Sequence, residues 1–83
     1  MEIKINNILV TGANGQIGSV LVPVLQKIYG KSCVIATDIL KKDNVLGVFE
    51  ILDITKSQDI ENIVKKYKIT QIYHLAAILS ANG

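Results

Sequence analysis

Hydrophobic residues along the 83-residue chain fall into short blocks with two alternating spacings. Ile8-Leu9-Val10, Cys33-Val34-Ile35-Ala36, Val48 to Leu52, and Gln71 to Ala77 are nearly continuous and bounded by polar residues or glycine. That is the pattern of strands buried on both faces of a parallel sheet. Between them, Ile17, Val20, Leu21, Val24, Leu25 and Ile28 recur at helical spacing and predict one buried face. Ile60, Ile63, Val64 and Tyr67 do the same further on. The first strand is expected at roughly Asn7 to Thr11. The first helix is expected from Gln16 or Ile17 to Tyr29, with Gly30 as its C-terminal stop. The second strand is read as Cys33 to Thr37 with Asp38 at its tip, followed by a loop from Ile39 to Gly47. The third is read as Val48 to Leu52, ending at Asp53. Thr55-Lys56-Ser57-Gln58 has capping-box spacing, and Asp59 and Glu61 suit the start of a second helix that runs to about Tyr67. The fourth strand is Gln71 to Leu75 or Ala76. Pro23 interrupts the first helix and is expected to kink it toward solvent.

The resulting order is β-α-β-β-α-β, an α/β chain. Right-handed crossovers then arrange the strands 3-2-1-4, the N-terminal half of a doubly wound Rossmann-type parallel sheet. In such a sheet the turns after the first and fourth strands meet at the switch point, where ligands bind. The turn after the first strand is Thr11-Gly12-Ala13-Asn14-Gly15-Gln16-Ile17-Gly18. Its three glycines lie between a strand and a helix, and Asp38 follows 20 residues after Gly18, at the end of the next strand. A glycine triplet alone is weak; with both flanking elements and the distal carboxylate it reads as a dinucleotide-binding turn. The first glycine permits a sharp turn, the second lets backbone approach a pyrophosphate, and the third lets helix and sheet pack closely. The helix N-terminus adds free N–H donors and the positive end of the dipole.

Composition narrows the reading. Half the residues, 49%, are hydrophobic and the mean hydropathy is +0.38, which is apolar for a small domain. No apolar run approaches the length that spans a bilayer. The net charge of +2 comes from nine lysines, scattered apart from Lys41-Lys42 and Lys65-Lys66, and is too mild to imply nucleic acid. Cys33 is the single cysteine, so no internal disulfide forms, and it reads as a small core residue in a reducing cytoplasm. No signal-peptide pattern opens the chain. His74, the only histidine, has no metal-ligand or acid–base partner at useful spacing and is expected to be a strand residue with a satisfied ring.

The glycine turn, Asp38, Asp53 and His74-Leu75-Ala76-Ala77 together resemble the extended short-chain dehydrogenase/reductase family, which includes nucleotide-sugar epimerases and dehydratases. The segment Ile78-Leu79-Ser80-Ala81-Asn82-Gly83, and Gly15-Gln16-Ile17-Gly18 followed by Leu21-Val22-Pro23, resemble its L-threonine 3-dehydrogenase branch, in which the proline is typical. The resemblance covers nearly the whole chain but only the N-terminal part of a family member. It implies that Gly12, Asn14, Gly15, Gln16 and Ile17 line the pyrophosphate of NAD. Asp38 would hold the adenosine ribose hydroxyls, and its charge would disfavour the 2′-phosphate of NADP. Asp53 and Ile54 would sit beside the adenine, although an aspartate just before a helix also serves local turns. Leu75, Ala76 and Ala77 would pass beneath the nicotinamide half, and Ser80 would contact substrate.

The family's acid–base chemistry uses a tyrosine with a lysine four residues later. Here Tyr29, Tyr67 and Tyr73 are followed at that distance by Cys33, Gln71 and Ala77, so the pair is missing. Residues 1–83 therefore read as a partial NAD-binding domain without catalytic segment or substrate domain, inactive alone. The parent enzyme would oxidise L-threonine at its 3-hydroxyl to 2-amino-3-oxobutanoate with NAD. The alternatives are a nucleotide-sugar epimerase or dehydratase, or a non-catalytic nucleotide-binding or self-associating module. Expected partners are a small-molecule substrate of the parent and a second copy of the chain, through the uncovered edge of the fourth strand or as in the family. No nucleic acid or membrane partner is expected.

Overall fold

A computed structural model describes residues 6–41 and 47–75. Ala76, Ala77, Ser80 and Lys42 lie outside the described residues. The elements run β1 (Ile8–Thr11), α1 (Gln16–Tyr29), a single 3₁₀ turn (Lys31–Cys33), β2 (Val34–Asp38), β3 (Val48–Ile51), α2 (Ser57–Tyr67) and β4 (Gln71–His74). The four strands form one sheet in the order β3-β2-β1-β4, with every pair parallel. The expected topology is therefore the observed one. β1 lies between β2 and β4, with Ile8 opposite both Val34 and Gln71.

The two faces of the sheet carry separate cores, as strands buried on both sides require. Ile8, Val10, Val34 and Ala36 point to one face, where Leu25 is buried and Leu21, Val22 and Tyr29 of α1 pack. Leu9 and Ile35 point to the other, with Leu52 and with Ile60, Ile63, Val64 and Tyr67 of α2. Asn7 ties the start of β1 to the end of α2: its side-chain amide donates to the Tyr67 carbonyl at 2.7 Å, and its own carbonyl accepts from Thr70 N at 2.8 Å.

The buried face of α1 differs from the expected one. Ile17, Val20, Val24 and Ile28 are 53%, 67%, 48% and 65% exposed. Leu21 and Leu25 face inward as expected, joined there by Gly18, Val22 and Tyr29. The cause is the approach of Gly18 to the preceding turn, which sets the helix rotation; the apolar arc is simply wider than the sheet covers. Pro23 is exposed within a helix assigned without interruption. Cys33 closes the 3₁₀ turn through its N–H on the Gly30 carbonyl, at 3.1 Å, rather than opening β2. The expected capping box on Thr55 does not form. Lys56 is the N-cap of α2, so the helix starts one residue after the position that a Thr55 cap needs, and the Thr55 hydroxyl instead donates to the Asp53 Oδ1 carboxylate oxygen at 2.6 Å.

A polar clasp joins β3 to α2. Lys66 Nζ donates to Glu50 Oε2 at 2.7 Å, and the Tyr67 hydroxyl donates to the same oxygen. The hydrogen bond from Lys66, then that from Tyr67, holds the Glu50 carboxyl below its ordinary value of 4.5. The bond to Glu50 in turn raises the Tyr67 hydroxyl.

Two outcomes follow for stability. Leu25→Ala should cost about 2–4 kcal/mol, whereas Val20→Ala, on the exposed arc, should change stability by less than about 0.5 kcal/mol; urea unfolding distinguishes them. Glu50 has a lowered folded pKa, so its contribution is present above the unfolded value and lost as pH falls through the folded one. The effect is small because the ion pair is exposed and screened. The urea midpoint of the native chain should exceed that of Glu50→Gln at about pH 7, and the gap should narrow as pH falls below the ordinary value of 4.5. An unchanged gap would mean that the clasp carries no pH-dependent stability.

Candidate dinucleotide-binding site

β1 ends at the buried Thr11, and the chain turns at once. Gly12 adopts φ 71°, a left-handed conformation that favours glycine. Gly15 N donates to the Gly12 carbonyl at 3.1 Å, closing the turn, and Gly15 is the N-cap of α1. Gly18 lies in the first helical turn against that same segment. A Cβ there would stand 2.5 Å from the Gly12 carbonyl oxygen and 2.7 Å from Ala13 Cα. Only a residue without a side chain lets the helix begin this close to the strand end.

The amides around the turn divide into two sets. Ala13 N donates to Thr37 O at 3.0 Å, Asn14 N to Asp38 Oδ2 at 2.9 Å, and Gly15 N to Gly12 O. These hold the turn itself. The first bond into the helix is Ser19 N to Gly15 O, at 2.9 Å. The amides of Gln16, Ile17 and Gly18 stand before it, and a helix provides no acceptor of its own for such positions. With the helix dipole they suit an anion.

Asp38 closes β2 and stands beside this turn. Its carbonyl accepts from Leu52 N at 2.9 Å, and its two carboxylate oxygens accept from Asn14 N and from Ile39 N, the latter at 2.7 Å. Each oxygen keeps acceptor capacity beyond these bonds, as a ribose diol would need. A cleft of about 200 Å³ opens at these strand ends, lined among others by Gly12, Asp38, Ile39, Leu52, Asp53 and Ile54. Asp53 Oδ1 is engaged locally, by the hydroxyl and the amide of Thr55, and those contacts hold its carboxyl below the ordinary range.

The structure thus brings Gly12, Asp38, Asp53 and Ile54 to one cleft and places Asn14, Gly15, Gln16 and Ile17 along the turn and helix start beside it. Leu75 packs against the α1-side core, away from the cleft lining. Ala76, Ala77 and Ser80 are outside the described residues. Two features were not singled out in the sequence. Ile39 lines the cleft, and its place directly after a strand-end carboxylate was the available signal. Thr11 Oγ1 lies 3.0 Å from His74 Nδ1, joining the ends of β1 and β4.

A dinucleotide fits these residues: side-chain-free backbone beside the helix amides for its phosphates, and a fixed carboxylate at the neighbouring strand tip for a ribose. The sequence profile of the NAD dependent epimerase/dehydratase family matches residues 8–83. The chain belongs to that family. Among curated members it is 42% identical over 80 residues to an uncharacterized epimerase/dehydratase of Staphylococcus haemolyticus, covering 92% of this chain and 25% of that protein. A Staphylococcus aureus counterpart is 41% identical over the same span. The fold is similar to that of L-threonine dehydrogenase from Clostridium difficile, with a TM-score of 0.80 and 41% identity over 87% of this chain and 24% of that one. It is also similar to a GalE-like L-threonine dehydrogenase from Cupriavidus necator in its holo form, with a TM-score of 0.78 and 37% identity over 83% of this chain and 23% of that one. The chain spans about a quarter of the length of these relatives. Among the described residues, no helix is long and apolar enough to cross a membrane.

The contact at Gly18 is directly testable. Gly18→Ala should cost about 2 kcal/mol through overpacking and lower the melting temperature by about 10 °C. Gly30→Ala meets no atom within 4 Å, and its cost of about 1–3 kcal/mol comes only from a backbone, φ 96° and ψ 148°, that is nearly confined to glycine. A melting temperature of Gly18→Ala equal to that of the native chain would mean that α1 is not held by this approach.

Proposed function

We propose that this chain is the NAD-binding N-terminal portion of an oxidoreductase, most like L-threonine 3-dehydrogenase. The observation that carries the reading is the carboxylate of Asp38, fixed by Asn14 N beside helix amides that suit a pyrophosphate. In this reading Gly12, Gly15, Gln16 and Ile17 surround the pyrophosphate, Asn14 stands in the same turn, and Asp38 holds the adenosine ribose. Asp53 and Ile54 flank the adenine, Leu75, Ala76 and Ala77 underlie the nicotinamide half, and Ser80 reaches substrate. A negative carboxylate at the ribose repels the extra phosphate of NADP. Bound NAD would accept hydride from the 3-hydroxyl of L-threonine.

The structural likenesses to L-threonine dehydrogenases, such as those at 41% and 37% identity, favour that substrate. A second reading, an NAD-dependent epimerase or dehydratase, is favoured by the names of the curated relatives. The two activities part at the substrate domain, which belongs to the three quarters of the relatives' length that this chain does not span. Neither reading gives the 83 residues an activity of their own, because the sequence holds no Tyr-x-x-x-Lys pair.

Calorimetric titration of the chain with NAD and with NADP tests the proposal. NAD should bind, and NADP should bind at least about tenfold more weakly, the size expected for a charge repulsion of about 1.4 kcal/mol. Asp38→Asn should narrow that gap. Equal binding of both, or a gap unmoved by Asp38→Asn, would remove Asp38 from the ribose site. Absence of any binding would remove the reading for this chain. Addition of L-threonine with NAD should produce no NADH.

A further inference from the structure

We infer that Asn14 is a positioning residue of the adenosine cleft, acting through the loop after β2 and not by touching the pyrophosphate; the inference rests on the dinucleotide reading above. Its side-chain amide donates to the Leu40 carbonyl at 2.6 Å, while its backbone amide donates to Asp38 Oδ2 at 2.9 Å. One residue before it, Ala13 N donates to Thr37 O at 3.0 Å. The glycine turn therefore continues past the end of β1 along the last two residues of β2, 37 and 38, and onto residue 40 of the loop beyond. Asn14 supplies two of the three links. The acceptor at Leu40 is a carbonyl, so the donor facing it is the NH₂ end of the asparagine.

The geometry has a consequence for the cleft. Ile39 lines it, between the two positions that Asn14 grips. Its N–H is turned back onto Asp38 Oδ1 at 2.7 Å, so carboxylate and loop are held as one unit. Ile39 and Leu40 are 61% and 72% exposed and, among the described residues, belong to neither core cluster. Without the side chain of Asn14, the wall of the adenosine cleft and the orientation of Asp38 lose a tether that exists before any ligand arrives. Pre-organisation of this kind raises affinity for whatever the cleft holds, irrespective of phosphate.

The test compares Asn14→Ala and Asn14→Asp with the native chain, by amide hydrogen exchange without ligand and by titration with adenosine, which has no phosphate, and with NAD. Asn14 does not adopt a positive φ, so alanine brings no backbone strain. In Asn14→Ala the amides of residue 14 and Ile39 should exchange about three- to tenfold faster, as loss of one hydrogen bond allows, while Val10 and Ile35 in the sheet stay unchanged. Adenosine and NAD affinities should fall by a common factor of about the same size. Asn14→Asp should be at least as weak, because its carboxylate faces the Leu40 carbonyl; Asn14→Gln should recover part of the loss. Unchanged exchange at Ile39 would overturn the inference. So would a loss confined to NAD with adenosine unaffected, which is the signature of a pyrophosphate contact. If the native chain binds neither ligand, the proposed function falls, and the exchange rates alone decide whether the tether exists.

Discussion

The missing side chain at residue 18 is the constraint on which the rest of this structure depends. The carbonyl of Gly12 and the backbone of Ala13 occupy the space where a Cβ would stand. That closeness brings the first turn of α1 against the end of β1, which is what aims the amides of Gln16, Ile17 and Gly18 at the switch point of the sheet. It also sets which face of α1 meets the sheet. Leu21, Val22, Leu25 and Tyr29 go inward because Gly18 does, and Ile17, Val20, Val24 and Ile28 are left outside despite their hydrophobicity. A helix chosen by its apolar arc alone would have been rotated differently.

The sheet order supplies the second half of the site. β1 sits between β2 and β4, so the turn that follows β1 has the tip of β2 on one side and the tip of β4 on the other. On the β2 side Asp38 does two jobs at once. Its main chain extends the sheet to Leu52, and its carboxylate receives the amides of Asn14 and Ile39. On the β4 side the link is the Thr11–His74 side-chain contact. The glycine turn is thus anchored to both neighbours by polar contacts, at the level where hydrophobic packing gives out.

The fold was legible in the sequence because its signals were of long period and mutually consistent. Buried parallel strands leave unbroken apolar runs, the Gly12–Gly18 turn lies between a strand and a helix, and right-handed crossovers leave one strand order. What escaped were choices made by geometry between near-equal local options. Thr55 had the sequence of a cap, but the helix starts one residue too late for it and its hydroxyl donates to Asp53. Cys33 had the look of a strand residue, but Gly30 with φ +96° draws it into a 3₁₀ turn. Lys68 ends α2 in a left-handed conformation, φ 52°, at a cost of about 1 kcal/mol, where glycine would be the expected signal. At the site, the residues of the glycine turn and Asp38 could be named from spacing. The engagement of the Asn14 side chain with Leu40 could not, since no sequence rule relates a turn residue to the carbonyl of a loop 26 positions away.

The allotment of hydrogen bonds within the turn bears on how a site of this kind works. A glycine-rich loop whose amides were all directed at the ligand would have nothing to hold it in place before binding, and its ordering would be charged against affinity. Here the amides of Ala13, Asn14 and Gly15 are spent inside the protein, on Thr37, Asp38 and Gly12. Those of the first helical turn are the ones left to meet an anion, and the helix behind them is anchored by the buried Gly18 and Leu25. Amides that hold the turn and amides that remain for an anion are therefore neighbours in sequence. The boundary falls between Gly15 and Gln16, at the point where the turn becomes helix.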